Sequence, residues 1–180
     1  VLLASELLSD AAFKSDFDVK KSEVHGMAQR GGVVSSHVRF GEKVHSPLIP
    51  QGDCDVMLAF EQAEALRWLH FMKSSGVVIV NQRVWVPPIA LMKGFEYPQD
   101  PLGMVQERMQ RVLKINAQQM AEDLGNPKVE NTLLLGTLST VIELPVTIWQ
   151  DVIRARVPKG TDALNLRAFE LGLQSVTGEK

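Results

Sequence analysis

Chemistry in this chain concentrates in Ser22-Glu23-Val24-His25-Gly26-Met27-Ala28-Gln29-Arg30-Gly31-Gly32. Arginine presents a rigid planar fork of donors suited to a carboxylate or phosphate. Backbone N–H groups at glycine-rich turns add partial positive charge beside it. His25 exchanges a proton near neutral pH and precedes a glycine. Gly26, Gly31 and Gly32 imply positive φ angles or the close approach of another chain or a ligand. Two readings follow. One is an anion-binding corner centred on Arg30; the other is a bulge between strands with Arg30 as a surface ion pair, and the residues alone favour the second.

Other reactive side chains are sparse. Cys54 is the single cysteine, which excludes an internal disulfide and a four-thiolate zinc or iron–sulfur site within the chain. It reads as a buried, inert thiol rather than a nucleophile. His37 and His45 would face each other if residues 33–40 and 44–46 form a hairpin, but no third metal ligand accompanies them. His70 reads as core or interface, as do Trp68, Trp85 and Trp149, the tryptophans serving as packing or as anchors for a partner. Glu107 with Arg108, and Glu122 with Asp123, read as solvated helix faces. No G-x-S-x-G, Walker, G-x-G-x-x-G or H-E-x-x-H motif is present.

These residues sit in a chain of 180 with 45% hydrophobic and 22% charged content, ordinary for one globular domain. A net charge of −2 gives no basic field for nucleic acid or anionic lipid. Apolar runs such as residues 76–80 fall far short of the roughly 20 residues of a membrane span. With no secretory signal, the expected compartment is the cytoplasm.

The pattern of elements is α/β. Residues 1–13 read as an amphipathic helix with no capping residue before it, which suggests that a strand and turn precede it. Strands are expected at 17–24 and 33–40, the second turned back by Gly41-Glu42-Lys43 toward 44–46. A strand at 55–60, a helix at 61–73 and an apolar β-branched strand at 76–81 form a βαβ unit. A right-handed crossover would place a ligand crevice at the carboxyl ends of its strands, near Phe60-Glu61 and Asn81-Gln82. Loops at 86–88 and 97–101 are followed by a helix at 104–111 and a last strand at 112–116. Helices at 119–124, 131–142, 145–157 and 161–176 complete the chain. The fold class is thus a Rossmann-like, mostly parallel sheet with an inserted hairpin and a helical carboxyl-terminal part.

The run from Lys21 to Gly32, Ser36-His37-Val38-Arg39-Phe40-Gly41 and Ser46-Pro47-Leu48-Ile49-Pro50 resembles the gamma-type domain of 2-oxoacid:ferredoxin oxidoreductases. Residues 55–67, Asn131-Thr132-Leu133-Leu134-Leu135-Gly136 and Ala168-Phe169-Glu170-Leu171-Gly172 extend the likeness over nearly the whole chain, 1–180, as a single domain. Relatives acting on pyruvate tend to have Tyr-Gly before Arg-Gly-Gly; His25-Gly26-Met27-Ala28-Gln29 is closer to the beta subunit of the indolepyruvate branch. The resemblance implies an accessory subunit in the coenzyme A-dependent oxidative decarboxylation of an aryl 2-oxoacid, with ferredoxin as electron acceptor. It implies thiamine diphosphate and iron–sulfur clusters on a larger alpha subunit, and no cofactor held by this chain alone. Under it, His25, Gly26, Gln29, Arg30, Gly31 and Gly32 contact substrate or coenzyme A, or shape the seam with that subunit. A strand and glycine-rich turn would precede Val1.

Overall fold

A computed structural model describes residues 1–25, 34–86 and 97–175. In chain order its elements are α1 (Leu2–Lys14), β1 (Asp18–His25), β2 (Val34–Gly41), β3 (Cys54–Ala59), α2 (Gln62–Trp68), β4 (Met72–Asn81), α3 (Pro101–Arg108), β5 (Arg111–Ile115), α4 (Ala117–Asp123), α5 (Glu130–Leu138), α6 (Val146–Arg156) and α7 (Asp162–Gln174). By packing, the chain divides into two compact units, one of 1–23, 36–49 and 117–180, the other of 24–35 and 50–116.

The second unit holds a three-stranded parallel sheet in the order β3-β4-β5. The central strand carries Val77, Val78, Ile79 and Val80, all buried, as β-branched residues covered on both faces require. Val77 lies between Val56 and Arg111, and Val80 between Ala59 and Lys114. The expected βαβ unit is therefore present. Its crossover is shorter than the expected helix over 61–73: α2 ends at Trp68 and tightens into a 3-10 turn, Leu69–Phe71. β4 correspondingly begins at Met72, four residues before Gly76, because Ser74 and Ser75 are strand residues exposed to solvent. At Gly76 an added Cβ would stand 3.0 Å from the Asp55 carbonyl oxygen, beside the register shift between Cys54 and Val56. That glycine lets the two backbones close up at an irregularity.

The first unit is built around α5. Thr132 through Leu138 are all buried, so this helix is enclosed on every side. It packs along α7, and α1 lies against α6 and α5. The α5–α7 contact runs through two glycines. A Cβ on Gly136 would stand 2.8 Å from Leu173 N and closer still to the Phe169 carbonyl oxygen; one on Gly172 would stand 2.8 Å from the Leu133 carbonyl carbon. Thr137 Oγ1 donates to the Gly172 carbonyl at 3.1 Å, and Thr132 Oγ1 donates to Asn165 Oδ1 at 2.7 Å, both buried. Trp149, fully buried, packs its ring 6.2 Å from that of Phe169. Two stretches of the resemblance, 131–136 and 168–172, are thus a helix seam.

β1 and β2 pair antiparallel. The expected return of the chain into a strand at 44–46 does not occur: those residues are irregular, and the partner of β2 is upstream. Side chains hold residues 44–49 instead. Val44 N–H donates to Asp18 Oδ2 at 2.9 Å, Arg39 Nη1 to the carbonyls of Ser46 and Leu48 at 3.2 Å each, and Ile49 N–H to His37 Nδ1 at 3.1 Å.

Candidate functional site

The strands that lead to and from the glycine–arginine segment are in place. β1 ends at His25 and β2 starts at Val34. Gly26, Gln29, Arg30, Gly31 and Gly32, with the His25 side chain, lie outside the described residues. What is visible is the support: the Asp18, His37 and Arg39 side chains pin residues 44–49 beside the ribbon. His37 and His45 do not form a metal pair. The His37 Nδ1 lone pair is occupied by the Ile49 N–H, and burial holds its imidazolium below the ordinary histidine range. Among the described residues no group of three metal-ligating side chains gathers.

The described polar cluster of most consequence stands at the carboxyl ends of β3 and β4, where the crossover rule places a crevice. Glu61, only 9% exposed, is the N-cap of α2: its Oε2 accepts the Glu64 N–H at 2.9 Å. Its Oε1 accepts the Trp85 N–H at 3.4 Å and the Tyr97 hydroxyl. Asn81, fully buried, reaches the Phe60 carbonyl at 3.4 Å. Besides Trp85, residues 82 and 83 are fastened to neighbouring elements. Gln82 N–H donates to the Ile115 carbonyl at 2.8 Å, Gln62 Nε2 to the Gln82 carbonyl at 3.0 Å, and Gln62 N–H to the Arg83 carbonyl at 3.2 Å.

A buried carboxylate survives only when its oxygens are hydrogen-bonded. Here those oxygens serve the chain itself, so Glu61 holds structure rather than a substrate proton. Tyr97 is correspondingly inert: burial first, then the bond to Glu61, pushes its phenol above the ordinary range. Sequence reasoning located this edge but not Tyr97, which meets Glu61 from 36 positions away. Nor did it separate the tryptophans, for Trp149 is core whereas Trp85 is 59% exposed with Arg83 Cζ 4.5 Å above its ring.

Cys54 is buried, its thiol donating to the Val56 carbonyl at 3.2 Å and pushed up to about 11, mainly by burial. That is the inert thiol expected. His70 is exposed and lines a shallow recess of about 460 Å³ with Leu66, Leu69, Met72, Ser74, Arg108 and Met109. Glu107, Arg108, Glu122 and Asp123 are solvated, as read from the sequence.

The family model described as pyruvate ferredoxin/flavodoxin oxidoreductase matches residues 1–175. The chain belongs to this family. It is similar, at 38% identity over 97% of its length and 89% of the relative's, to the indolepyruvate oxidoreductase subunit IorB of Thermococcus kodakarensis. The subunit of the same name from Pyrococcus horikoshii is 36% identical over 97% of this chain and 89% of that one. Among solved structures, the gamma subunit of a keto/oxoacid ferredoxin oxidoreductase from Geobacter sulfurreducens superposes with a TM-score of 0.70. That match covers 98% of this chain and 90% of the other at 20% identity, which shows a shared fold. Among the described residues no helix is long and apolar enough to cross a membrane.

Proposed function

We propose that the chain is the accessory, beta-type subunit of an indolepyruvate-type ferredoxin oxidoreductase. The observation that carries this is the near full-length similarity, 38% over 97% of the chain, to a protein of that name. The complex oxidatively decarboxylates an aryl 2-oxoacid with coenzyme A, giving acyl-coenzyme A and carbon dioxide and passing electrons to ferredoxin. Thiamine diphosphate and the iron–sulfur clusters belong to the larger alpha subunit. One cysteine in this chain supports that division, since thiolate clusters need several.

This chain's contribution is binding and shape. His25, Gly26, Gln29, Arg30, Gly31 and Gly32 meet an anionic group of substrate or coenzyme A, or complete the seam with the alpha subunit. The paired strands β1 and β2, braced by Asp18, His37 and Arg39, support this reading by fixing where the segment begins and ends. Co-expression with the larger subunit tests it. The expected result is a stable, coloured, iron-containing complex; a chain that purifies alone under those conditions overturns it.

A further inference from the structure

We propose that His37 is an acid-sensitive latch: its neutral imidazole holds the Ile49 end of residues 44–49 on the β1–β2 ribbon, and its protonation releases that end. The latch is independent of the function proposed above and rests on the side chains that pin this strap to the ribbon.

The pins differ in kind. Asp18 Oδ2 accepts the Val44 N–H at 2.9 Å, Arg39 Nη1 donates to the carbonyls of Ser46 and Leu48 at 3.2 Å each, and His37 Nδ1 accepts the Ile49 N–H at 3.1 Å. A ring nitrogen that accepts carries no proton, so the last bond exists only while His37 is neutral. Protonation turns that acceptor into a donor and sets two N–H groups against each other. The other pins keep their state where histidine titrates. Arg39 stays charged. Asp18 is held below the ordinary carboxylate range, first by Lys20 and then by the Val44 N–H, and so stays ionised above pH ~5.

Charged and titratable groups on the elements that meet here are Arg39 on β2, Asp18 and Lys20 on β1, Glu42 and Lys43 at the exposed turn before the strap, and His45 within it. Lys21 and Glu23 pair with each other at 2.8 Å and alternate to the opposite face of β1 from Asp18. His45 acts on Asp18, and its positive charge favours the carboxylate that holds Val44. Acid therefore has opposite effects on the two ends of the strap. At the Ile49 end, burial favours the neutral His37 ring in the folded chain. Its stabilisation is complete above about pH 6.5 and is lost as pH falls through the lower folded value.

Amide hydrogen exchange of the full chain, resolved by residue between about pH 7.5 and pH 5 and corrected for intrinsic exchange, tests the latch. Protection at Ile49 should fall about fivefold or more, the loss of one ordinary hydrogen bond, while protection at Val44 holds. His37→Gln, whose amide oxygen accepts without titrating, should keep Ile49 protected throughout, and His45→Gln should leave the wild-type fall in place. Protection at Ile49 that does not change with pH overturns the latch. So does a parallel fall at Val44, which would mark general loosening, or an equal fall in His37→Gln. A fall abolished by His45→Gln would move the switch to that residue and overturn the assignment to His37.

Discussion

The Tyr97 hydroxyl donates to the carboxylate of Glu61, which also caps α2 and accepts the Trp85 N–H. One buried side chain thus joins a helix start to two segments that flank the parallel sheet. Tyr97 is the only tyrosine in the chain, so its ionisation can be read directly by ultraviolet absorbance. The folded chain keeps its phenol proton at pH values where the unfolded chain loses it, near pH ~10. Stabilisation is therefore complete below about pH 10 and is lost as pH rises toward the elevated folded value. A folded-state titration at the ordinary phenol value, or an alkaline stability profile unchanged by Tyr97→Phe, contradicts this.

Removing the clasp itself costs stability. Glu61→Ala deletes the N-cap of α2, worth about 0.5–2 kcal/mol, and strips acceptors from the Trp85 N–H and Tyr97 hydroxyl. Urea denaturation should show a lower midpoint, and wild-type stability in this variant would mean that water replaces the carboxylate at no cost.

The α5–α7 seam admits no methyl group. Gly136→Ala and Gly172→Ala each place a Cβ against backbone that cannot yield as a flexible side chain would, so each should cost about 1–3 kcal/mol or more. At this chain length that corresponds to about 2–4 °C of melting temperature per kcal/mol. Gly41, which has open space around its missing Cβ, is the control: Gly41→Ala should be nearly neutral. Equal melting temperatures for all three would show that the helices separate freely.

Cys54 should resist thiol reagents until the chain unfolds. Its thiol is pushed up to about 11 and is buried, so thiolate is scarce at pH 8 and access is blocked. Labelling with a chromogenic disulfide should track the denaturation curve. Rapid modification of the folded chain at pH 8 would contradict the assignment.

The sequence made the βαβ unit legible because its signals are local. Val77–Val80 form a β-branched run, and Glu61 is followed three residues later by the Glu64 N–H that it caps. The start of β4 was hidden by exposed Ser74 and Ser75, which break the apolar pattern without breaking the strand. The false hairpin at 44–46 has a similar cause. Alternation in 34–41 does reveal a strand, but periodicity cannot say that its partner lies upstream in β1. The pins from Asp18, Arg39 and His37, and the Glu61–Tyr97 bond, join residues too far apart for any spacing rule. Trp149 and Trp85 carry the same letter, and only packing sends one into the core and the other into water.

The decisive measurement reconstitutes the chain with the proposed larger subunit and follows acceptor reduction with indolepyruvate, pyruvate and 2-oxoglutarate, each with coenzyme A, for wild type and Arg30→Ala. Indolepyruvate should be the preferred substrate. Loss of a charge-assisted contact worth about 1.5–3 kcal/mol should reduce kcat/KM for Arg30→Ala by about tenfold or more. Activity confined to the small aliphatic acids would contradict the account, and unchanged kinetics with unchanged assembly for Arg30→Ala would remove that residue from the site.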